Sequence, residues 1–188
     1  MEKLTDKFLW KSLKEGDLNA FAVLFESYYP ELHSYGLKIS NNGALTEDTL
    51  QDFFLYVYER RENLSDLETI APYLFTSYKR FLLKEMKKNE KYKHTGFSND
   101  TFVDVQFTAE ELMTTQETTA FKDKNLSALL NKLPNRQKEA IYLKYYSGLK
   151  AAEISEIMGI NYQSVVNTLH KAIKSLKQEI SIIKLFKL

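Results

Sequence analysis

The sequence predicts an all-α protein built of two small helical domains joined by a linker. Apolar residues recur at spacings of three and four along most of the chain, which is the period of an amphipathic helix, and alternating strand patterns are almost absent. Residues 94–122 are instead rich in Ser, Thr, Asn and Asp, as is typical of a linker, although scattered Phe and Val residues there could dock on a neighbouring domain. We therefore expect one domain at residues 1–93 and a second, four-helix domain at residues 123–188.

Composition argues against several classes of protein. The 188 residues are 44% hydrophobic and 27% charged, which is too apolar for a disordered chain. The sequence has no cysteine and only three histidines, so we expect no metal and no other cofactor. Its N-terminus lacks the apolar core of a signal peptide, and no apolar run reaches the roughly 20 residues of a membrane span. We expect a cytoplasmic protein without membrane insertion.

The first domain is predicted to be a helical bundle. The segment DLNAFAVLFESYYPELHSYGLKIS has helical spacing, with a kink or a boundary between two helices at Pro30. In LTEDTLQDFFLYVYERR, Thr46 suits an N-cap, and Arg60 and Arg61 suit the last turn. The segment NLSDLETIAP reads as a turn, and residues 73–92 then form a long helix that is apolar in its first half and basic in its second.

Charge is segregated along the chain, although the net charge is only +1. Residues 79–93 carry seven basic and two acidic side chains, a net charge of +5, and residues 132–188 carry ten and four, a net charge of +6. Residues 45–68 carry two basic and seven acidic side chains, a net charge of −5. Single charge runs are mostly solvated surface, but segregation on this scale supports a polyanionic partner equally well.

The second domain ends in a helix-turn-helix pattern. The segments DKNLSALLNKL, RQKEAIYLKYYSG and KAAEISEIMG predict three helices, and only GIN separates the third from a fourth. Gly159 suits a left-handed turn residue and Asn161 suits the N-cap of the fourth helix. In this motif the second helix enters the major groove of DNA.

The fourth helix has a polar face without acids. No acidic residue occurs between Tyr162 and Gln178, whereas a solvated helix usually mixes Glu with Lys. We expect the opposite face to be buried, with the apolar residues Val165, Val166, Leu169, Ile173, Leu176 and Ile180. The alternative is an ordinary helical hairpin whose polar face lacks acids by chance, but the turn, the cap and the local positive charge favour DNA binding. The candidate contacts are Tyr162, Gln163, Ser164, Asn167, His170, Lys171 and Lys174.

These residues resemble the extracytoplasmic-function (ECF) sigma factors of bacterial RNA polymerase. The segment LNKLPNRQKEAIYLKYYSGLKAAEISEIMGINYQSVVNTLHKAIKSLK is similar to the family's region four almost without gaps. TEDTLQDFFLYVYERRENL stands in place of the family's acidic-glutamine motif, and most of the chain is covered. The chain departs from the family pattern at Arg80, where an asparagine is usual, and at Val166 and Thr168, where many relatives have basic residues.

The resemblance implies a contact with core RNA polymerase through the helix that bears the glutamine motif. The residues implied in this contact are Asp48, Gln51, Asp52 and Glu59. Complementation of the helix dipole would explain the acids at the start of that helix, but it explains Gln51 and Asp52 less naturally.

The resemblance also implies contacts with the melted minus-ten element. The turn at residues 62–69 would face an unstacked base, and the basic helix would lie beside phosphates. Interleaved aromatic and basic side chains suit single-stranded DNA, although for any single aromatic residue in this helix a place in the core is the favoured alternative. The implied residues are Tyr78, Lys79, Arg80, Lys84 and Lys87.

The expected function is therefore promoter recognition and transcription initiation by a sigma factor, without covalent chemistry. Its partners would be core RNA polymerase and promoter DNA, and an anti-sigma factor is a candidate that the sequence does not identify. A stand-alone helix-turn-helix regulator would share the fourth helix but would leave the acidic and basic helices of the first domain unexplained. A nuclease would need converging carboxylates, whereas Asp48 and Asp52 have no further acid cluster beside them.

Overall fold

The computed structural model describes residues 6–91, 103–108 and 120–185. They fall into two compact units, residues 1–99 and residues 100–188, which we call the N-terminal and C-terminal units. These described residues contain eight α-helices and no β-strand, so the all-α prediction is confirmed. The N-terminal unit contains α1 (Asp6–Lys14), α2 (Leu18–Ser40), α3 (Gly43–Glu59), a 3₁₀ turn (Arg61–Asn63) and α4 (Ala71–Lys91). The C-terminal unit contains α5 (Ala120–Asn131), α6 (Asn135–Tyr145), α7 (Ala151–Met158) and α8 (Tyr162–Leu185).

Aromatic side chains fill the core of the N-terminal unit, where α2, α3 and α4 pack together. The Tyr35 and Phe75 rings lie 5.3 Å apart, and the Phe53 and Tyr78 rings 5.5 Å apart. All four side chains are at most 1% exposed. The Tyr78 hydroxyl donates a hydrogen bond to the Thr46 carbonyl at 3.4 Å, and burial raises the pKa of Tyr78 well above its ordinary value. The buried tyrosine therefore remains a neutral donor that joins α4 to α3.

The helix boundary considered at Pro30 does not exist. Helix α2 continues through Pro30 from Leu18 to Ser40. Pro30 lacks an N–H, so the Glu26 carbonyl loses its intrahelical donor. Because Pro30 and Glu26 are both exposed, water can satisfy that carbonyl.

The predicted N-cap at Thr46 is wrong, because α3 begins at Gly43. Its N-cap is Asn42, whose side chain accepts a hydrogen bond from the Leu45 N–H at 3.1 Å. Asn41 has a left-handed backbone (φ 49°), so the chain reverses within two residues after α2. Thr46 is buried instead, and its hydroxyl lies 2.7 Å from that of Ser40.

In the C-terminal unit, a segment of the predicted linker packs against the helices. Val103, Val105 and Phe107 are buried, and the residues between them are exposed. The Phe107 backbone exchanges two hydrogen bonds of 2.9 Å with the Asn131 side chain, and Asp104 pairs with the buried Lys138. Helix α5 also begins at residue 120, before the expected start of the second domain at 123.

A close approach at Gly36 generates a prediction about stability. A Cβ atom there would lie 2.8 Å from the Thr46 Cγ2 and deep inside contact distance of the Tyr78 hydroxyl. We expect Gly36→Ala to lower the free energy of unfolding by about 1–3 kcal/mol through overpacking, as measured by urea denaturation. Gly43→Ala is the matched control, because a Cβ there meets nothing within 4 Å.

The double variant Gly36→Ala with Tyr78→Phe tests the cause. Removing the hydroxyl relieves the closest contact, so the double variant should be more stable than the sum of the two single changes predicts. Strict additivity would contradict the proposed clash.

Candidate nucleic-acid interfaces

The turn between α7 and α8 is built by backbone hydrogen bonds around one glycine. Gly159 is left-handed (φ 63°) and follows the last residue of α7. Its N–H donates to the Glu156 carbonyl at 3.2 Å, and the Ile160 N–H donates to the Ser155 carbonyl at 3.0 Å. This pair of bonds is a Schellman motif, which ends the helix and satisfies its last carbonyls. The turn predicted at Gly159 is confirmed.

Asn161 starts the second helix of the motif as predicted. Its side-chain oxygen accepts a hydrogen bond from the Ser164 N–H at 2.7 Å, and the Val165 N–H donates to its carbonyl at 3.2 Å. The cap satisfies a backbone donor that would otherwise lack an intrahelical partner. Helix α8 therefore begins at a defined residue, Tyr162.

The buried face of α8 is narrower than the sequence predicts. Val165 and Ala172 are fully buried, and Thr168 is 8% exposed, with its hydroxyl donating to the Ser164 carbonyl at 2.7 Å. Val166 and Ile180, expected on this face, are each 37% exposed. Helical spacing alone misplaced Val166, because the adjacent Val165 points into the core and about 100° of helix rotation separates the two side chains.

The opposite face of α8 carries most of the predicted DNA contacts on the surface. Within it, the Gln163 amide donates a hydrogen bond of 3.1 Å to the Asn167 side-chain oxygen. Ser164 is the exception among the candidates, because it is only partly exposed. The exposed candidates are Tyr162, Gln163, Asn167, His170, Lys171 and Lys174.

Helix α4 presents a second basic face. Arg80, Lys84 and Lys87 are exposed, and their spacing of four and three places them on one side of the helix. Lys88 is partly neutralised by Glu85, with the two charged groups 2.6 Å apart. The face accordingly offers three cations in a row that could follow a phosphate backbone.

The prediction of DNA contacts through Tyr78 and Lys79 is wrong for this structure. Tyr78 is fully buried in the aromatic core, and Lys79 is only 6% exposed. Phe75 is buried too, so the alternative core assignment applies to these aromatic residues. The predicted helix is present, but its rotation turns residues 75, 78, 79 and 82 toward α2 and α3, and the basic character of the segment does not indicate which of its side chains are buried.

Helix α1 holds the turn that follows α3, a role that sequence reasoning missed. The Trp10 indole donates a hydrogen bond to the Ser65 carbonyl at 2.8 Å, and the Asp6 carboxylate accepts one from the Ile70 N–H at 3.0 Å. Lys14 pairs with Asp66 at 2.5 Å and, by donating to it, lowers the pKa of that carboxyl. The one feature of the sequence that could have indicated this role is its single tryptophan, which lies in α1.

A cavity of about 590 Å³ lies between α1 and this turn. Lysine side chains and carboxylates line it together, so it has no uniform charge. Lys7 pairs with Glu68 at 2.6 Å, which raises the pKa of the Lys7 ammonium. The lining residues are Lys7, Trp10, Lys11, Lys14, Glu15, Glu62, Asp66, Leu67 and Glu68.

Helix α3 carries the acidic face. Asp48, Gln51, Asp52 and Glu59 are all exposed, and none of the three carboxylates has a salt-bridge partner among the described residues. Glu47, by contrast, lies 3.7 Å from the His33 imidazole. The exposed carboxylates are thus available to a basic partner.

Two further observations concern residues 6–91, 103–108 and 120–185. No three His, Asp or Glu side chains there come close enough together to hold a metal ion. No helix in these ranges combines the length and the apolar character that crossing a membrane requires.

An all-α chain with a capped helix-turn-helix, whose second helix carries no acid between Tyr162 and Gln178, defines a DNA-binding protein of the helix-turn-helix class. Two family models match it: sigma-70 region 2 over residues 24–92, and sigma-70 region 4 over residues 123–176. The chain belongs to the sigma-70 family and is an ECF-type sigma factor, which works with core RNA polymerase to direct transcription initiation at promoters.

Relatives from two bacteria are similar over nearly their whole length. The ECF sigma factor SigL of Mycobacterium tuberculosis is 27% identical over 168 residues, which cover 86% of this chain and 92% of SigL. The ECF sigma factor SigW of Bacillus subtilis is 22% identical over 186 residues, which cover 96% of this chain and 98% of SigW.

Two solved structures share the fold. CnrH, in complex with the cytosolic domain of CnrY, has a TM-score of 0.65 and 16% identity, with 95% of this chain and 98% of CnrH covered. RpoE of Bartonella quintana, in complex with the anti-sigma factor NepR, has a TM-score of 0.60 and 17% identity, with 88% of this chain and 99% of RpoE covered.

Proposed function

We propose that this sigma factor divides its contacts among three helices: α3 binds core polymerase, α4 binds the minus-ten element, and α8 reads the minus-thirty-five element. The main support is the exposed face of α8, which carries amides and lysines and no acid between Tyr162 and Gln178. It acts as an initiation factor without covalent chemistry, in the cytoplasm, where polymerase and promoter DNA meet. A stand-alone regulator is not favoured, because family matches cover both units.

The order of residues along α8 supports a division between base reading and backbone contact. In a helix-turn-helix, the start of the second helix lies deepest in the major groove. Gln163 and Asn167 lie in the first two turns, and their amides can pair with base edges. Lys171 and Lys174 follow one to two turns later, where a long cationic side chain reaches phosphates.

For the minus-ten contact, α4 keeps three of the five residues that the family resemblance implied. We propose Arg80, Lys84 and Lys87 as the phosphate contacts at the minus-ten element. Their side chains are exposed on one helix face and carry three positive charges. The turn held by α1 would lie beside the melted strand, in keeping with the family resemblance.

The α3 assignment rests on exposure and charge. Asp48, Gln51, Asp52 and Glu59 are exposed polar side chains within one helix, and a basic polymerase surface would complement them. An anti-sigma protein is a further proposed partner. RpoE of Bartonella quintana, which shares this fold, has been solved in complex with an anti-sigma factor.

The polymerase contact predicts the effect of a double substitution. Gln51→Ala combined with Asp52→Ala should weaken binding to core polymerase by about tenfold, equivalent to ~1.4 kcal/mol, because both side chains are exposed on the proposed contact face. The measurement is fluorescence-anisotropy titration of the full chain with core polymerase. Glu26→Ala with Ser27→Ala is a matched control, since it removes an exposed acid and an exposed polar group from α2. Equal affinities of the two double variants would reject the α3 assignment.

The minus-ten contact predicts a change in salt dependence. Lys84→Ala and Lys87→Ala should each make the negative slope of log affinity against log salt shallower by about one, because each removes a phosphate contact. Promoter opening by the holoenzyme is measured over a salt series. Lys88→Ala is the control, because its ammonium is paired with Glu85. A slope that stays at the wild-type value in both test variants would contradict the contact.

Substitutions of a proposed base contact and of a proposed phosphate contact within α8 should have different effects. Asn167→Ala should cost about 1–3 kcal/mol at one position of the minus-thirty-five element and spare the others, because its amide pairs with one base edge. Lys174→Ala should weaken all promoters about equally and flatten the salt dependence. Promoter activity is measured across every base substitution in the element. A uniform loss from Asn167→Ala would mean that α8 does not read bases through this residue.

A further inference from the structure

Val166 is an apolar side chain that remains partly exposed on the C-terminal unit. It is 37% exposed, whereas its neighbour Val165 is fully buried and supplies the contact with the core. Single exposed apolar residues are common on proteins and need no explanation alone. Val166, however, lies in the second turn of α8, within the face that carries the proposed base contacts.

The surroundings of Val166 combine apolar surface with amide groups. Tyr162 lies four residues earlier, one turn along the same side of the helix, and is 57% exposed. Gln163 and Asn167 lie on the same exposed face and are joined by their 3.1 Å hydrogen bond. That bond uses one Gln163 donor and one Asn167 acceptor, and it leaves the Gln163 carbonyl and the Asn167 amide N–H groups to pair with a base.

This combination matches what an A·T pair offers in the major groove. Adenine presents the N7 acceptor and the N6 amino donor, which suit an amide, and thymine presents an O4 acceptor and the C5 methyl group. An apolar side chain is the group that distinguishes thymine by its methyl. A lysine or arginine at residue 166 would favour guanine or phosphate instead.

We propose that Val166 is a specificity-determining residue that contacts the 5-methyl group of a thymine in the minus-thirty-five element, with Tyr162 extending the apolar surface beside it. The proposal rests on the proposed function of α8 and adds the base and the chemical group that this residue selects.

The test replaces thymine by uracil, which removes only the methyl group. The minus-thirty-five element is first found by selecting promoter DNA with holoenzyme assembled from core polymerase and the full chain. Duplex fragments with deoxyuridine at each thymine of the element are then compared in holoenzyme binding. We expect wild type to bind about fourfold more weakly when one particular thymine is replaced, the size expected for one buried methyl group. Val166→Ala should bind the thymine and uracil fragments equally.

Ile180→Ala provides a matched control on the same helix. Ile180 is also 37% exposed but lies 14 residues beyond Val166, outside the start of α8. This variant should keep the fourfold preference for thymine. Because both side chains are exposed, neither substitution should unfold the domain, and circular dichroism checks this.

Two results would overturn the proposal: equal binding of thymine and uracil fragments by wild type at every position, or an unchanged preference in Val166→Ala. If either result is obtained while the holoenzyme still selects a minus-thirty-five sequence, only this proposal fails and the proposed function stands. A holoenzyme that selects no such sequence would refute the proposed function together with this proposal.

Discussion

The left-handed turn at Gly159 is the constraint on which the proposed DNA-contacting surface of α8 depends. Gly159 ends α7, Asn161 caps α8, and only Ile160 lies between them. A side chain at a positive φ would be strained there, and a longer connection would leave the direction of α8 undefined. Once the direction is set, Val165 and Ala172 enter the core, and the remaining side of the helix faces outward.

A similar division between core and surface operates in the N-terminal unit. Helix α4 uses Phe75 and Tyr78 to join α2 and α3, and the same packing turns Arg80 and Lys84 outward. Burial of the aromatic side chains provides the stabilisation, since each removes a large apolar area from water. The exposed cations contribute little to stability and remain available to a polyanion.

Exposed charges have one role in this sigma factor, and the helix caps and buried ring contacts have another. Acidic α3 carries charges that complement the proposed polymerase contact, and basic α4 and α8 carry charges that complement the proposed DNA contacts. The caps and ring contacts hold the helices that present them. The contacts of α1 likewise hold the irregular turn that follows α3. The Trp10 indole and the Asp6 carboxylate form hydrogen bonds with its backbone, so this segment is held in place without regular secondary structure of its own.

The sequence by itself determined the helical class, the Gly159–Asn161 turn and the helix face without acids between Tyr162 and Gln178, because caps, turns and periodicity are local properties of neighbouring residues. Tertiary structure alone decided that Tyr78 and Lys79 are buried and that Val166 is exposed. Spacing identifies an amphipathic helix, but the partner helices set where its buried stripe ends. A residue at the margin of the stripe, such as Val166, is assigned only by the neighbours it meets or lacks.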